Sequence, residues 1–249
     1  SMLNVAVGQD AGVSVTTGVQ NTIVGALAGD NLQDASHNVI VGFNALGSAN
    51  AAGETVINNT AIGVSAGAAN TSGDNNIYLG RDSGLSGSPG GANSTGNSAI
   101  FFGDENIGDA HIQVDWTVAS DQRDKTDFTA LDLGLDFVKA LAPVTYKWDK
   151  RSKYGNKNAD DYDLDNLTSD GTHKEDWLDI GFKAQEVEAL EIAAGYNKSN
   201  KTNLVSSHTS DGKQMGLQYS KFVPILVKAM QEQNALIEAL TARITTLEG

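Results

Sequence analysis

Ser120 and Lys125 lie five residues apart in the run Ser-Asp-Gln-Arg-Asp-Lys, and their residue types suit a nucleophile and its base. A serine hydroxyl attacks a carbonyl carbon only when a base removes its proton. A lysine can act as that base when burial favours its neutral amine. Such Ser–Lys pairs are a known variant of serine-hydrolase chemistry. The spacing alone has little specificity, because the same two residue types most often form a solvated surface pair.

Three further motifs follow this pair along the chain. They are Pro-Val-x-Tyr-x-Trp at 143–148, Gly-Phe-Lys-Ala-Gln-Glu-Val at 181–187 and Tyr-x-x-x-Val-Pro at 219–224. In this order the set resembles the intramolecular chaperone domain of phage tail spikes and fibres, the endosialidase-type chaperone that is also called peptidase S74. The resemblance covers about residues 119–248.

The resemblance implies a cleavage site and the residues that serve it. Ser120 would attack the peptide bond on its own N-terminal side, between Ala119 and Ser120. Lys125 would be the base, and Asp121 would orient the carbonyl or the oxyanion. The reaction would be a single-turnover autoproteolysis in cis. Asp124 stands where the family usually has an aliphatic residue, and a carboxylate beside Lys125 favours the charged ammonium, so enzymatic activity stays an open question.

The composition argues against several classes of site and partner. The chain has 249 residues and no cysteine, which excludes disulfides and thiolate metal sites. Its four histidines are scattered, and we expect neither a metal nor a cofactor. The net charge of −14 argues against nucleic acid as a partner. No run has the length of a membrane span, so we expect no membrane insertion.

The run from Asp160 to Asp165 carries acidic residues at alternate positions, as a calcium-binding loop does. Asn166 stands where such a loop needs glycine, and Thr172 stands where it needs glutamate. We therefore interpret the run as a solvated acidic loop.

Residues 1–119 contain a repeat of the form Asn-x-x-aliphatic-Gly. Five copies begin at Asn4, Asn21, Asn38, Asn59 and Asn76, and a degenerate sixth begins at Asn97. The asparagines are separated by 17, 17, 21, 17 and 21 residues, so the unit has 17 residues with four-residue insertions. A fixed period of this size indicates stacked units, and short β-branched runs favour strands. Asparagine at a constant position would cap a turn or form a ladder of amides along the stack.

The fold class predicted from these patterns is a β-rich repeat, a trimeric β-helix or β-prism-like shaft, followed by an α+β chaperone domain that ends in a long coiled-coil helix. Each repeat offers only two or three aliphatic side chains, so an interwound or side-by-side trimer is favoured over a solenoid of one chain. The domain boundary is placed at 119/120. Residues 1–119 carry a net charge of −9 and are rich in Gly, Asn and Ala, whereas residues 120–249 carry −5 with ordinary globular composition.

The elements of the second domain follow from its periodicity. Apolar residues at 131, 135, 138 and 141 predict a short amphipathic helix, and residues 144–148 alternate like a strand. Residues 149–179 are polar and acidic, which predicts a long loop or hairpin extension. Residues 180–190 begin as a strand and become a helix, and a long helix runs from about residue 220 to 247.

This final helix carries a coiled-coil heptad. The seam, which is the predicted trimer interface, consists of Leu226, Met230, Gln233, Ile237, Leu240, Ile244 and Leu247. Isoleucine at a and leucine at d by themselves favour two strands. The family resemblance implies three strands, with Gln233 as a polar layer that fixes register. The alternative is a single helix packed on its own domain.

Together these features predict the C-terminal segment of a phage tail fibre or spike. Its chaperone domain would drive homotrimerisation and folding of the β-shaft, and would then cut itself off between Ala119 and Ser120. The alternative is a fibre tip that binds a host cell-surface glycan and keeps a non-cleaving trimerisation domain. A membrane-tethered transcription-factor precursor with the same domain is disfavoured, because the chain lacks a membrane span and a basic DNA-binding segment. The expected location is the virion, in the phage tail, after synthesis in the host cytoplasm.

Overall fold

The computed structural model describes residues 3–49, 56–157, 159 and 161–249. Within them the chain forms two compact units. The first contains the repeats up to residue 109 together with residues 147–176 and 208–214, and the second contains residues 110–146, 177–207 and 215–249. Two segments that follow Ser120 in the sequence therefore pack with the repeats.

The repeats fold into a parallel β-solenoid. In the described part, six strands of three residues stack in chain order, and each pairs in parallel with the next. They are β1 (Val5–Val7), β2 (Thr22–Val24), β3 (Val39–Val41), β4 (Thr60–Ile62), β5 (Ile77–Leu79) and β6 (Ile100–Phe102). The predicted β-rich repeat is confirmed.

The central residue of each strand from β2 to β6 is buried in the core of the solenoid, whereas that of β1, in the first turn, is exposed. Ile23, Ile40, Ala61 and Tyr78 are fully buried, and the Phe101 ring stacks on Tyr78 with 5.2 Å between ring centroids. The loops between the strands complete this core with the buried side chains of Leu32, Leu46 and Val56.

The expectation of interwound chains is wrong, because successive strands hydrogen-bond within one chain and that chain closes its own core. The prediction counted only the aliphatic residues of each strand and left out the apolar side chains of the loops. Side-by-side association of three solenoids stays a prediction.

The repeated asparagines form a ladder inside the solenoid. The Oδ1 atom of each accepts a hydrogen bond from the backbone N–H of the next, at 2.8 Å from Asn21 to Asn4, 3.0 Å from Asn38 to Asn21, 2.8 Å from Asn59 to Asn38 and 2.9 Å from Asn76 to Asn59. Their Nδ2 groups also donate to loop carbonyls, as Asn38 does to Val56 at 2.8 Å. Each asparagine thus caps a loop and continues the ladder.

The glycine that follows each strand allows two turns of backbone to touch. At Gly42 φ is +139°, and a Cβ atom would lie 2.3 Å from the carbonyl oxygen of Gly63 in the next turn. Both the positive φ and the absence of a side chain are required at this corner. This explains why glycine ends the repeated motif.

The sixth repeat departs from its predicted alignment. The strand register places Ala99, and not Asn97, at the ladder position. Ala99 donates its N–H to the Oδ1 of Asn76 at 3.0 Å, but a methyl group cannot extend the ladder. Asn97 Oδ1 accepts a hydrogen bond from the N–H of Asp74 at 2.6 Å instead. The amide ladder therefore ends at Asn76.

The region after Ser120 contains two short two-stranded sheets and three α-helices among its described residues. The strands are β7 (Val144–Tyr146), which pairs with β8 (Asp179–Gly181), and β9 (Ser206–His208), which pairs with β10 (Met215–Leu217). The helices are α1 (Leu135–Ala140), α2 (Ala184–Ala193) and α3 (Phe222–Glu248). The predicted hairpin extension lies between β7 and β8, and α3 is the predicted terminal helix.

The core of the second unit joins its three helices. Phe137 of α1, Val187 of α2, and Phe222 and Ile225 of α3 are buried together with Val205, which precedes β9. Helix α1 is shorter than its apolar period predicts, because Gly134 has a non-helical backbone (φ −131°, ψ −134°) and the helix begins only at Leu135.

We predict that Asn38→Ala destabilises the solenoid by about 2–5 kcal/mol, because it leaves buried partners unsatisfied on both sides. Chemical denaturation followed by circular dichroism measures the loss. The matched control is Asn31→Ala, since Asn31 is exposed and donates a single long-range hydrogen bond, to Gly47. Equal losses for the two variants would contradict a stabilising role of the ladder.

We also predict a loss of solenoid stability at high pH through Tyr78. Burial raises the pKa of Tyr78 to about 12. Its neutral form is favoured in the folded state, so its contribution is complete below about pH 10, where a free tyrosine ionises, and is lost as the pH rises toward 12. The loss is about 2–3 kcal/mol. The unfolding free energies measured at about pH 9 and pH 11.5 should differ less from each other in Tyr78→Phe than in the unsubstituted chain, and an identical pH dependence would disprove the assignment.

Candidate functional site

The predicted nucleophile and base are brought together by one short turn. Lys125 Nζ donates a hydrogen bond to Ser120 Oγ at 2.6 Å. A 3-10 turn at Gln122–Asp124 separates the two residues, and the N–H of Lys125 closes it on the carbonyl of Gln122 at 3.2 Å. The local chain alone therefore sets the geometry that the motif requires.

Arg123 engages the carboxylate of Asp121. Its Nε lies 3.1 and 3.2 Å from the two carboxylate oxygens, and its Nη2 lies 2.6 Å from Oδ2. The backbone N–H of Arg123 also donates to Asp121 at 2.9 Å, which makes Asp121 the N-cap of the turn. These hydrogen bonds hold the pKa of Asp121 below its usual value. Sequence reasoning included Arg123 in the motif but gave it no role, whereas here it fixes the turn that carries the pair.

The pair and the bond beside it are open to solvent. Ala119, Ser120 and Lys125 are all exposed, and the chain around the Ala119–Ser120 bond has neither helical nor strand structure. Among the described side chains, Asp124 makes no ion pair with Lys125. The bond is accessible for cleavage, but nothing in the single chain desolvates the amine.

An apolar segment that sequence reasoning missed precedes this bond. Ile112, Val114, Trp116 and Val118 alternate with polar residues and are 52–79% exposed. The signal that could have revealed it is the period of two, which is typical of a strand with one buried face. The pattern predicts that another element covers these apolar side chains, but no described element does so.

Two of the sequence motifs meet where β8 ends and α3 begins. Tyr219 Oη accepts a hydrogen bond from the N–H of Phe182 at 3.3 Å. A Cβ atom at Gly181 would lie 2.4 Å from the same Oη, so a larger residue there would displace the Tyr219 hydroxyl. The Phe182 ring packs on Phe222 with 5.2 Å between ring centroids. The Gly-Phe motif and the Tyr-x-x-x-Val-Pro motif are thus two halves of one contact.

Glu191 of α2 is a buried anchor for the chain that leads into β9. Its carboxylate accepts hydrogen bonds from the N–H groups of Leu204 at 2.9 Å, Val205 at 2.6 Å and Ser206 at 3.0 Å, and from the Ser206 hydroxyl. Glu191 is 1% exposed. Sequence reasoning did not single it out, because its partners lie 13–15 residues away along the chain.

The predicted seam of α3 is exposed along most of its length. Its apolar members, Leu226, Met230, Ile237, Leu240, Ile244 and Leu247, are 45–84% exposed, and Gln233 is exposed as well. The opposite face of the first turns is buried through Phe222, Ile225 and Ala229. The helix therefore packs on its own domain at its start, and its seam has no cover in the single chain.

The segments 147–176 and 208–214 hold the last turns of the solenoid. Lys157 forms an ion pair with the buried Glu105, and Lys150 Nζ donates to the Glu105 carbonyl at 3.0 Å. Asp211 accepts a hydrogen bond from the N–H of Ala92 at 3.0 Å, and the N–H of Ser210 donates to Gly90 at 2.8 Å. Sequence reasoning placed both segments in the chaperone domain and did not foresee these contacts.

The acidic run in segment 147–176 pairs with basic residues of the same unit. Lys213 donates to Asp163 at 2.6 Å, and Asp165 lies 3.6 Å from Arg151. Asp160, the first residue of the run, lies outside the described residues. Within the described ranges no three acidic or histidine side chains form a metal-binding group. No described helix is long and apolar enough to cross a membrane.

Comparison with known families agrees with this architecture. Residues 120–196 match the family described as the chaperone of endosialidase, Peptidase_S74. This part of the chain is similar to the chaperone of endosialidase, as the sequence motifs indicated, and it follows a β-solenoid. The match begins at Ser120, the predicted nucleophile, and includes Lys125 and the Gly-Phe motif. No curated protein and no solved structure matches the chain.

We predict that Glu191→Ala destabilises the chaperone domain by about 3–5 kcal/mol, because three N–H groups and a hydroxyl lose a buried acceptor. The matched control on the same helix is Glu186→Ala, whose exposed ion pair with Lys183 contributes less than about 1 kcal/mol. Thermal unfolding followed by circular dichroism compares the two variants. A loss no greater for Glu191→Ala than for Glu186→Ala would refute the anchoring role.

Proposed function

We propose that this chain is a segment of a phage tail fibre or spike whose chaperone domain assembles three copies, guides folding of the solenoid shaft and then cuts the chain between Ala119 and Ser120. The observation that carries the proposal is the match of residues 120–196 to the chaperone of endosialidase in a chain that also contains a repetitive β-solenoid. The homotrimer belongs to the virion, in the phage tail.

A repetitive shaft creates the task that such a chaperone performs. Every turn offers the same backbone hydrogen bonds and nearly the same side chains. Two copies that associate one turn out of register therefore lose little. Non-local β-sheet contacts also form slowly and expose the chain to aggregation. An element outside the repeat that associates in a single register removes this ambiguity.

Helix α3 is the element that supports trimer formation. Its seam combines exposed isoleucine and leucine with one polar layer at Gln233, which can fix the register of a coiled coil. The pattern of isoleucine at a and leucine at d favours two strands when it acts alone. The assignment of three copies therefore rests on the family resemblance, and the rest of each subunit adds constraints that an isolated heptad lacks.

The segments 147–176 and 208–214 support a direct role in holding the shaft. They contact the loops and the end of the last turns through Glu105, Ala92 and Gly90. A growing parallel sheet presents unpaired backbone groups at its edge. Contacts beside the last strand keep this end of the solenoid in place while copies associate.

The proposed cleavage uses Ser120 and Lys125 in one chain. Lys125, as a neutral amine, takes the proton of Ser120 Oγ while that oxygen attacks the carbonyl carbon of Ala119. The C–N bond breaks, the proton passes to the leaving amine of Ser120, and an ester links Ala119 to the Ser120 oxygen. Water then hydrolyses the ester and releases the carboxylate of Ala119. One chain is cut once, and no other substrate is needed.

Association supplies what the single chain lacks for this chemistry. The 2.6 Å contact between Lys125 and Ser120 is in place, but both side chains are exposed. Water stabilises the ammonium form, and an ammonium cannot accept the serine proton. Burial of the pair by a neighbouring copy would favour the neutral amine. Cleavage should therefore follow assembly.

The experiment compares the intact chain with Ser120→Ala, Lys125→Ala and Asp124→Leu by intact mass, denaturing gel electrophoresis and native mass. We expect fragments divided at Ala119/Ser120 in the unsubstituted chain and none in the first two variants. Asp124→Leu keeps both members of the Ser120–Lys125 pair, so we expect the same fragments in this variant. All four should be trimers before cleavage.

The outcomes separate the two parts of the proposal. Uncut trimers in every sample would retain the chaperone and reject the protease, which would leave a permanently attached trimerisation domain. Uncut monomers in every sample would reject both. Fragments that persist in Ser120→Ala would assign the cut to another protease.

A further inference from the structure

One face of the solenoid sheet is apolar and exposed. It consists of the first and third residues of β1 to β6, which point away from the core and are here called the outer stripe. Its members are Val5, Val7, Thr22, Val24, Val39, Val41, Thr60, Ile62, Ile77, Leu79, Ile100 and Phe102. In β2 to β6 the residue between each pair is the one that enters the core.

The outer stripe is unusual for a solvated surface. None of its twelve residues is charged, although 19% of the chain is charged and the net charge is −14. Nine of its apolar side chains are 36–59% exposed. A contiguous apolar surface of a few hundred Å² is a candidate site of association. A strand that faces water would alternate apolar and polar residues, whereas these strands are apolar on both sides.

We propose that the outer stripe is where the shafts of two further copies of this chain pack side by side, in register. The inference rests on the proposed trimer and assigns the shaft surface that the trimer uses. It differs from the interwound arrangement, because each copy keeps its own closed core.

The repeat of the stripe identifies its occupant as another copy. The same pair of outward side chains recurs at each strand, with a spacing of about 4.8 Å along the stack. A partner that matches all six strands must carry the same spacing, and the identical solenoid does. The lack of charge on the stripe is consistent with this occupant, because charged faces of identical copies would bring like charges into direct contact.

The size of the stripe indicates that it cannot hold the copies together alone. Six strands span about 24 Å along the stack and three residues span about 10 Å across it, which gives roughly 240 Å². Stable association needs about 800 Å² on each partner. The shafts therefore pack through the stripe only when another element, the seam of α3, supplies the remaining contact and sets the register.

The test uses single cysteines, because the chain contains none. Val41→Cys places a thiol in the outer stripe, and Gln33→Cys places one at an exposed position half a repeat away in sequence. Both are made in the Ser120→Ala background, so that the chaperone domain stays attached. A short bismaleimide should link Val41→Cys into covalent dimers within the trimer and leave Gln33→Cys unlinked.

A second variant tests the apolar character of the stripe. Ile62→Lys, added to Val41→Cys, puts a charge from each copy into the interface. We expect at least a tenfold loss of crosslinked product, with an unchanged circular dichroism spectrum and a native mass that still reports a trimer through α3. Crosslinking that is unaffected by Ile62→Lys would overturn the inference.

The controls distinguish the failure of this inference from the failure of the proposed function. A monomeric native mass in the Ser120→Ala background would reject the proposed trimer and, with it, the proposed stripe interface. A trimer in which Val41→Cys stays unlinked, or in which Gln33→Cys links equally well, retains the trimer and rejects the stripe.

Discussion

The hydrogen bonds between successive turns are the interaction on which the rest of the structure depends. Within one chain, covalent connection decides which turn lies next to which, and the asparagine ladder adds a second series of hydrogen bonds to the sheet. The same uniformity is a disadvantage between chains, because every turn offers the same donors and acceptors. Information about register between copies must therefore come from a region that does not repeat, and α3 is the long element with that property.

The region after Ser120 combines rigid anchors with exposed functional surfaces. Glu191 fixes the chain before β9, and Tyr219 joins the end of β8 to the start of α3. These contacts order the domain without any partner. The Ser120–Lys125 pair and the seam of α3 remain exposed. The domain thus has its own core, while the proposed cleavage and the proposed trimer contact would both need burial supplied by other copies.

Much of this organisation could be predicted from the sequence. The features that could not be predicted all have the same cause. Repetition multiplies a weak three-residue strand signal, so the strands and the ladder followed from the spacing of asparagine and glycine. The heptad and the Ser–Lys motif are also local patterns. The core contribution of Leu32 and Leu46, the contact of Lys157 with Glu105, and the anchoring by Glu191 join distant residues. Local periodicity carries no information about such pairs.

The contacts of segments 147–176 and 208–214 with the last turns bear on what cleavage at Ala119 would change. Cutting the chain removes no hydrogen bond of Asp211 or Lys150 and leaves the buried pair of Glu105 and Lys157 intact. It changes the effective concentration, because a tethered segment meets its site at about millimolar concentration, whereas a free one meets it at its bulk concentration. Contacts that suffice to hold a tethered shaft end can then dissociate. The peptide bond thus sets how long the chaperone stays bound, and the contacts themselves need not be strong.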